Sequence, residues 1–210
     1  MTATTIDPGR ASARAPARKF YFWIGLAFIA TAFLGFAPTF WAPLAQGRFH
    51  ANPIVYVHGA VFFSWTLFYA YQASLVSGGK TMRHRDIGVA GVSIATAMTM
   101  LGLLVAIQGV TRFAATAYLE DAKRFAVVPI VSIVTFAVLF ALAIVNVKKP
   151  ETHKRLMVLT IPAVIDAAIA RWFLVLLAPP LPPGAIAPPP PTVVALPPAL
   201  IGDLFILAGA

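Results

Sequence analysis

Five apolar runs of membrane-crossing length dominate this sequence, and they leave few alternatives for its fold. A bilayer core takes about 20 apolar residues per helix. Tyr21 to Trp41, Pro53 to Val76, Ile87 to Val110, Phe125 to Val147 and Leu156 to Ala178 each meet that length, with polar or charged residues at both ends. Asn52 before Pro53 predicts a sharp helix start, an N-cap followed by proline at the first helical position. Gly78 and Gly79 predict where that helix stops. Backbone polar groups in lipid must bond within their own segment. The expected fold is therefore all-α, a polytopic transmembrane helical bundle with five full spans.

Composition agrees. Of 210 residues, 60% are hydrophobic and 11% charged, against about 45–50% and about 25% in a soluble domain, and no soluble core hides such a surplus. The net charge of +9 is spread in short Lys/Arg clusters between the apolar runs rather than gathered into a patch; this is a topology signal, and no nucleic-acid partner is expected. The absence of cysteine removes disulfides, thiolate catalysis and thiolate metal sites.

The ends of the chain read differently. Residues 1–19 are rich in Ala, Thr, Pro and Arg and are expected to form a disordered cytoplasmic tail. The run that follows is much longer than the apolar core of a secretory signal, and no small-residue cleavage site follows it. Residues 20–178 form the bundle. Residues 179–198 hold ten of the eighteen prolines and read as an external, polyproline-like loop. Residues 199–210 open a sixth helix too short to cross, which reads as a truncated product.

Charge sets the orientation. With the N-terminus inside, Arg10, Arg14, Arg18, Lys19, Lys80, Arg83, Arg85, Lys148, Lys149, Lys154 and Arg155 are cytoplasmic. Only Arg48, Arg112, Lys123 and Arg124 lie outside, the bias expected of a membrane protein.

Ionisable residues inside spans are costly and mark candidate sites. Four stand out: His58, Asp166, Arg171 and Asp203. Counting residues from the span ends places His58, Arg171 and Asp203 at about one depth in the outer half, roughly 8–10 Å in. Arg171 cannot shed its proton, so the expectation is an anion or carbonyl partner, with Asp203 or Asp166 the nearest carboxylates by depth, or else snorkelling toward headgroups beside Trp172. Asp166 and Arg171 point about 140° apart on one helix and are not a simple pair. His58, Phe62, Trp65, Tyr69 and Gln72 recur at spacings of 4, 3, 4 and 3, one helical stripe that should face the interior, either as packing or as the lining of a cavity.

At the cytoplasmic ends, RHRDIG around His84 and THKRLM around His153 share a pattern of His, basic residue, any residue, aliphatic residue. The pattern reads as a faint duplication of a helical hairpin, or as two independent headgroup anchors. Axial haem ligation needs two histidines at one depth on different helices, and among the four histidines only His84 and His153 meet that condition. The sequence holds no nucleophile–base arrangement, metal-ligand spacing or phosphate-binding glycine loop, so no catalytic residue is assigned.

The pattern HG at His58, then Trp65, Gln72, HRDIG, HKRLM and AIARW (Ala168 to Trp172) resembles a group of uncharacterised bacterial multi-helix inner-membrane proteins, over about two-thirds of the chain. Histidines near both faces give a looser likeness to haem b membrane cytochromes. These resemblances imply a multi-pass protein of the bacterial inner membrane, surrounded by lipid and associated with other membrane subunits or with itself. Three functions remain open: a redox-linked subunit holding haem b or quinone, a small carrier or proton- or lipid-binding bundle, and an accessory subunit without chemistry.

Overall fold

The structure, a computed structural model, describes residues 8–178 and 187–209. Among these residues it is helical, with no strand. Helix α1 spans Pro8–Gly35, and after a π-helical turn at Ala37–Trp41 the short α2 spans Ala42–Ala45. Next come α3 (Pro53–Ser77), α4 (Thr81–Thr111), α5 (Leu119–Phe125) and α6 (Val127–Val145). The last four helices are α7 (Pro150–Leu159), α8 (Pro162–Leu177), α9 (Leu196–Gly202) and α10 (Leu204–Gly209).

Four helical stretches are long and apolar enough to cross a membrane: Pro53–Ser77, Thr81–Thr111, Leu119–Val145 and Pro150–Leu177. The first run makes a fifth if Lys19–Gly35 and Ala37–Ala45 are one span bent by 41°. The expected all-α bundle is what the chain forms, with four to five helices of membrane-crossing length. Its outer surface is apolar, with Val145 80% and Leu176 70% exposed. This is the arrangement of a membrane protein, in which the solvent facing the side chains is hydrocarbon.

The local signals act as expected at α3. The Asn52 side chain accepts from the Ile54 amide at 3.1 Å, and Pro53 occupies the first helical position. At the other end Gly79 takes φ 74°, a conformation without cost for glycine, and the Lys80 amide closes onto the Leu75 carbonyl at 2.7 Å.

Differences from the sequence reading lie at the ends. Residues 1–7 and 179–186, parts of the expected tail and loop, lie outside the described residues. Helix α1 already begins at Pro8, so residues 8–19 are helical rather than disordered; Ala and Arg are strong helix formers, and this segment runs directly into the span. Within the expected loop, a 3₁₀ turn at Thr192–Ala195 leads into α9 at Leu196, where Pro197 and Pro198 sit in a first turn whose amides have no helical partners anyway.

The core is built on aromatic and small residues. Trp65, 1% exposed, meets Phe136 and Phe140 edge-on with ring centres 5.3 and 5.5 Å apart. Tyr69 meets Phe28 edge-on at 6.0 Å. Where α1 crosses α8, Gly35 lies so close to Ala168 that a Cβ on the glycine would come within 2.5 Å of the Ala168 carbonyl oxygen. Small residues let membrane helices approach in this way.

Candidate functional site

The ends of the bundle differ, and each gathers polar groups. The basic end carries the Lys80–Arg85 and Lys148–Arg155 turns. Two hairpins, α3–α4 and α6–α7, meet there in the same local form. His84 is the fourth residue of α4, and its amide donates to the carbonyl of the N-cap residue Lys80 at 3.0 Å. His153 is the fourth residue of α7, and its amide donates to the N-cap Lys149 carbonyl at 2.9 Å.

Each imidazole also turns back toward the helix before it. His153 Nδ1 lies 2.9 Å from the Ala143 carbonyl oxygen, near the end of α6. A carbonyl only accepts, so Nδ1 carries a proton, and in the neutral ring the lone pair is on Nε2. The His84 ring approaches the backbone of Gln72, near the end of α3, and its Nδ1 is buried without a partner. The two rings lie edge to face, with centres 6.3 Å apart and planes at 71°.

Between this pair and the middle of the bundle runs the stripe on α3. Trp65, Tyr69 and Gln72 are buried, and His58 and Phe62 are half-buried, so the stripe faces the interior. It is also polar without partners: Trp65 Nε1 and both amide atoms of Gln72 are buried and unbonded. Orphaned polar atoms inside a bundle call for an explanation.

At mid-depth the two carboxylates come together rather than meeting Arg171. Gly202 of α9 packs onto Asp166 Oδ1, and Asp203 is close enough for its charge to act on Asp166. The expectation that Asp203 shares a layer with Arg171 is therefore corrected. Helix α9 docks on α8 at Ile165–Asp166, a turn and more from Arg171. Asp166 Oδ1 is itself buried without a partner.

Arg171 faces the opposite way, as the 140° offset requires. Its guanidinium lies over the Phe36 ring, 5.0 Å from the centroid, and near enough to His58 and Arg112 for the charges to act on each other. Among the described residues the ion pairs are Lys123–Glu120 and Lys154–Glu151, so Arg171 pairs with neither Asp166 nor Asp203. His58, its expected neighbour, is beside it. The indole beside it, Trp172, turns to α1 and donates from Nε1 to the Leu34 carbonyl at 3.1 Å.

The chain matches no family model, no curated protein and no solved structure.

Sequence reasoning missed the π-helical turn beside Arg171 and the carbonyl that holds His153. Pro38, in the last turn of the first apolar run, is a signal for the turn. Nothing in the sequence marks Ala143, because its part is played by a backbone oxygen.

Proposed function

We propose that this chain is an electron-transferring subunit of a membrane redox system, with His84 and His153 as the axial ligands of haem b. The observation that carries the reading is the separation of the two imidazoles, which come from different helices. Metal–imidazole bonds of about 2 Å on either side of one ion place two ring centres about 6 Å apart, and the observed separation is 6.3 Å.

Other features support the fit. The Ala143 carbonyl fixes the His153 tautomer that leaves Nε2 free, the usual support of a ligating histidine. His84 Nδ1 and the Gln72 amide are buried and unbonded beside the pair. Arg83 and Arg85 on the same turn supply cations suited to propionate groups. Haem bound there would supply reversible one-electron chemistry. The chain's own residues would hold the ligands in register, through the Ala143 carbonyl at His153 and the matching helix starts that carry both rings, and line the approach with the aromatic face of α3.

The positive-inside bias supports an orientation with the N-terminus in the cytoplasm and the histidine pair at the cytoplasmic side, and the resemblance to bacterial inner-membrane proteins supports that membrane as the location. Electrons would then come from, or pass to, another membrane subunit or a second copy.

The test is spectroscopic. Full-length protein from haem-replete cells, purified in mild detergent, should show a Soret band near one haem per chain and dithionite-reducible α and β bands. His84→Ala should abolish the band. His153→Gln should do the same while keeping a donor for the Ala143 carbonyl and hence the hairpin. Folded wild-type protein with no Soret absorbance at stoichiometric intensity would sink the reading.

A further inference from the structure

Toward the end of the bundle away from the histidine pair, where residues of α1, α3 and α8 come together, unpartnered polar groups and cations collect with no carboxylate paired to them among the described residues. Arg171 lies over Phe36, with His58 and the second cation Arg112 as its charged or titratable neighbours. The His58 ring rests on Phe62 with centres 4.0 Å apart, and its Nδ1 is buried without a partner. The π-helical turn that begins after Phe36 adds two more buried groups without partners, Thr39 Oγ1 and Trp41 Nε1.

The local charge is uncompensated. A guanidinium in a membrane span stays charged at any physiological pH, and the ring beneath it offsets only part of its desolvation. The carboxylates of α8 and α9 do not help: Asp166 is turned onto Gly202 and lies beside Asp203. Arg112 makes the deficit larger. A half-buried cation within a span, beside a second cation, is stabilised when something else brings negative charge.

We propose that Arg171, His58 and the π-helical turn form a binding site for the oxyanion headgroup, carboxylate or phosphate, of an amphiphile that enters from the bilayer. A planar guanidinium matches either oxyanion in a two-pronged contact. Thr39 and Trp41 contribute hydroxyl and indole donors on the same turn, and His58 contributes an imidazole. Phe36 and Phe62 offer an apolar wall to the first methylenes of a chain. The last turn of α8 beyond Arg171 is apolar and open, with Val175 49%, Leu176 70% and Leu177 74% exposed, which suits a tail lying along it. This site stands independently of the haem assignment, and its test reads lipid rather than haem.

The experiment uses full-length protein in mild detergent, stripped of lipid and then offered oleate, phosphatidylglycerol, phosphatidylcholine or inorganic phosphate, with retention read by native mass spectrometry. One molecule of oleate or phosphatidylglycerol should be held at least about tenfold more tightly than phosphatidylcholine, the scale of one charge-assisted contact. Preference for oleate would make the headgroup a carboxylate, and preference for phosphatidylglycerol a phosphate. Arg171→Gln should reduce both to the phosphatidylcholine level, and Arg171→Lys should keep part of the preference. Without lipid, Arg171→Gln should melt no lower than wild type, because it removes a charge that pairs with no carboxylate among the described residues. Three results would overturn the proposal: equal retention of all three lipids, as generic snorkelling predicts; binding of inorganic phosphate as tight as that of either anionic lipid; or an Arg171→Gln protein that retains the wild-type preference.

Discussion

Gly35 and Gly59 carry the same side chain and opposite roles. At Gly35 a methyl group would run into the Ala168 backbone, 2.5 Å from its oxygen and 2.7 Å from its carbonyl carbon, and neither atom can rotate away. Gly35→Ala should push α1 from α8 and cost about 1–3 kcal/mol, the usual scale of overpacking. At Gly59 nothing lies within 4 Å of the added methyl. Gly59→Ala should be neutral or stabilise by about 0.5–1 kcal/mol through backbone entropy. Thermal melts of the two variants in one detergent check the pair; a Gly35→Ala protein as stable as wild type would contradict the close crossing. Trp65 is the opposite case, a large side chain with no slack. Removing it from between Phe136 and Phe140 leaves a void, and Trp65→Ala should cost about 3–5 kcal/mol.

The breaks in the helices follow from two prolines and from what replaces their missing donors. Pro38 has no amide hydrogen, so the Leu34 carbonyl four residues earlier loses its helical partner. The π-helical turn re-forms the ladder beyond it, with the Trp41 amide on the Phe36 carbonyl at 3.2 Å, and Trp172 supplies the donor that Leu34 lacks. Trp172→Phe should therefore cost about 1 kcal/mol in the native chain. In a Pro38→Ala background, where the backbone can supply that donor, the same change should cost almost nothing; equal costs in the two backgrounds would refute the coupling.

Pro162 divides α7 from α8 in a related way. The Ile161 amide bonds the Val158 carbonyl at 3.0 Å, and Thr160 Oγ1 donates to the Met157 carbonyl at 2.7 Å, so the break is bridged by short-range contacts. Pro162→Ala should let one helix run through, with slower amide exchange at residues 160 and 161 as the measurement. Unchanged exchange there would show that tertiary packing, rather than the proline, holds the break.

For the whole molecule the first question is orientation. Eleven basic residues flank the spans on the side proposed as cytoplasmic and four on the other. Single cysteines at Ser77 and Thr116, in a chain that has none of its own, should label from opposite sides of sealed vesicles; labelling from one side would discard the proposed map.

Much of the architecture was legible before any coordinate. Apolar length, Asn52–Pro53 and Gly78–Gly79 predict helix α3 within a residue of its observed bounds, and the spacing from His58 to Gln72 predicts its inward face. These signals are legible because they are local: a helix is closed by bonds four residues apart, and a stripe repeats along one element. The histidine pair was legible in part, since a repeated motif placed His84 and His153 at matching helix starts. The partner of Arg171 was not. Depth along the chain brought Asp203 level with it, but depth says nothing about rotation about a helix axis or about where a returning segment docks. The crossing at Gly35 and Ala168 turns Arg171 toward Phe36 and His58, while α9 covers the other side of α8 at Asp166. By itself, then, the sequence determined the helices, their membrane-crossing length and which face of α3 turns inward, because hydrogen-bond reach and periodicity are properties of a single segment. Only the tertiary structure decided which charges meet, because that depends on contacts between segments far apart in the chain, set by packing at a few small residues.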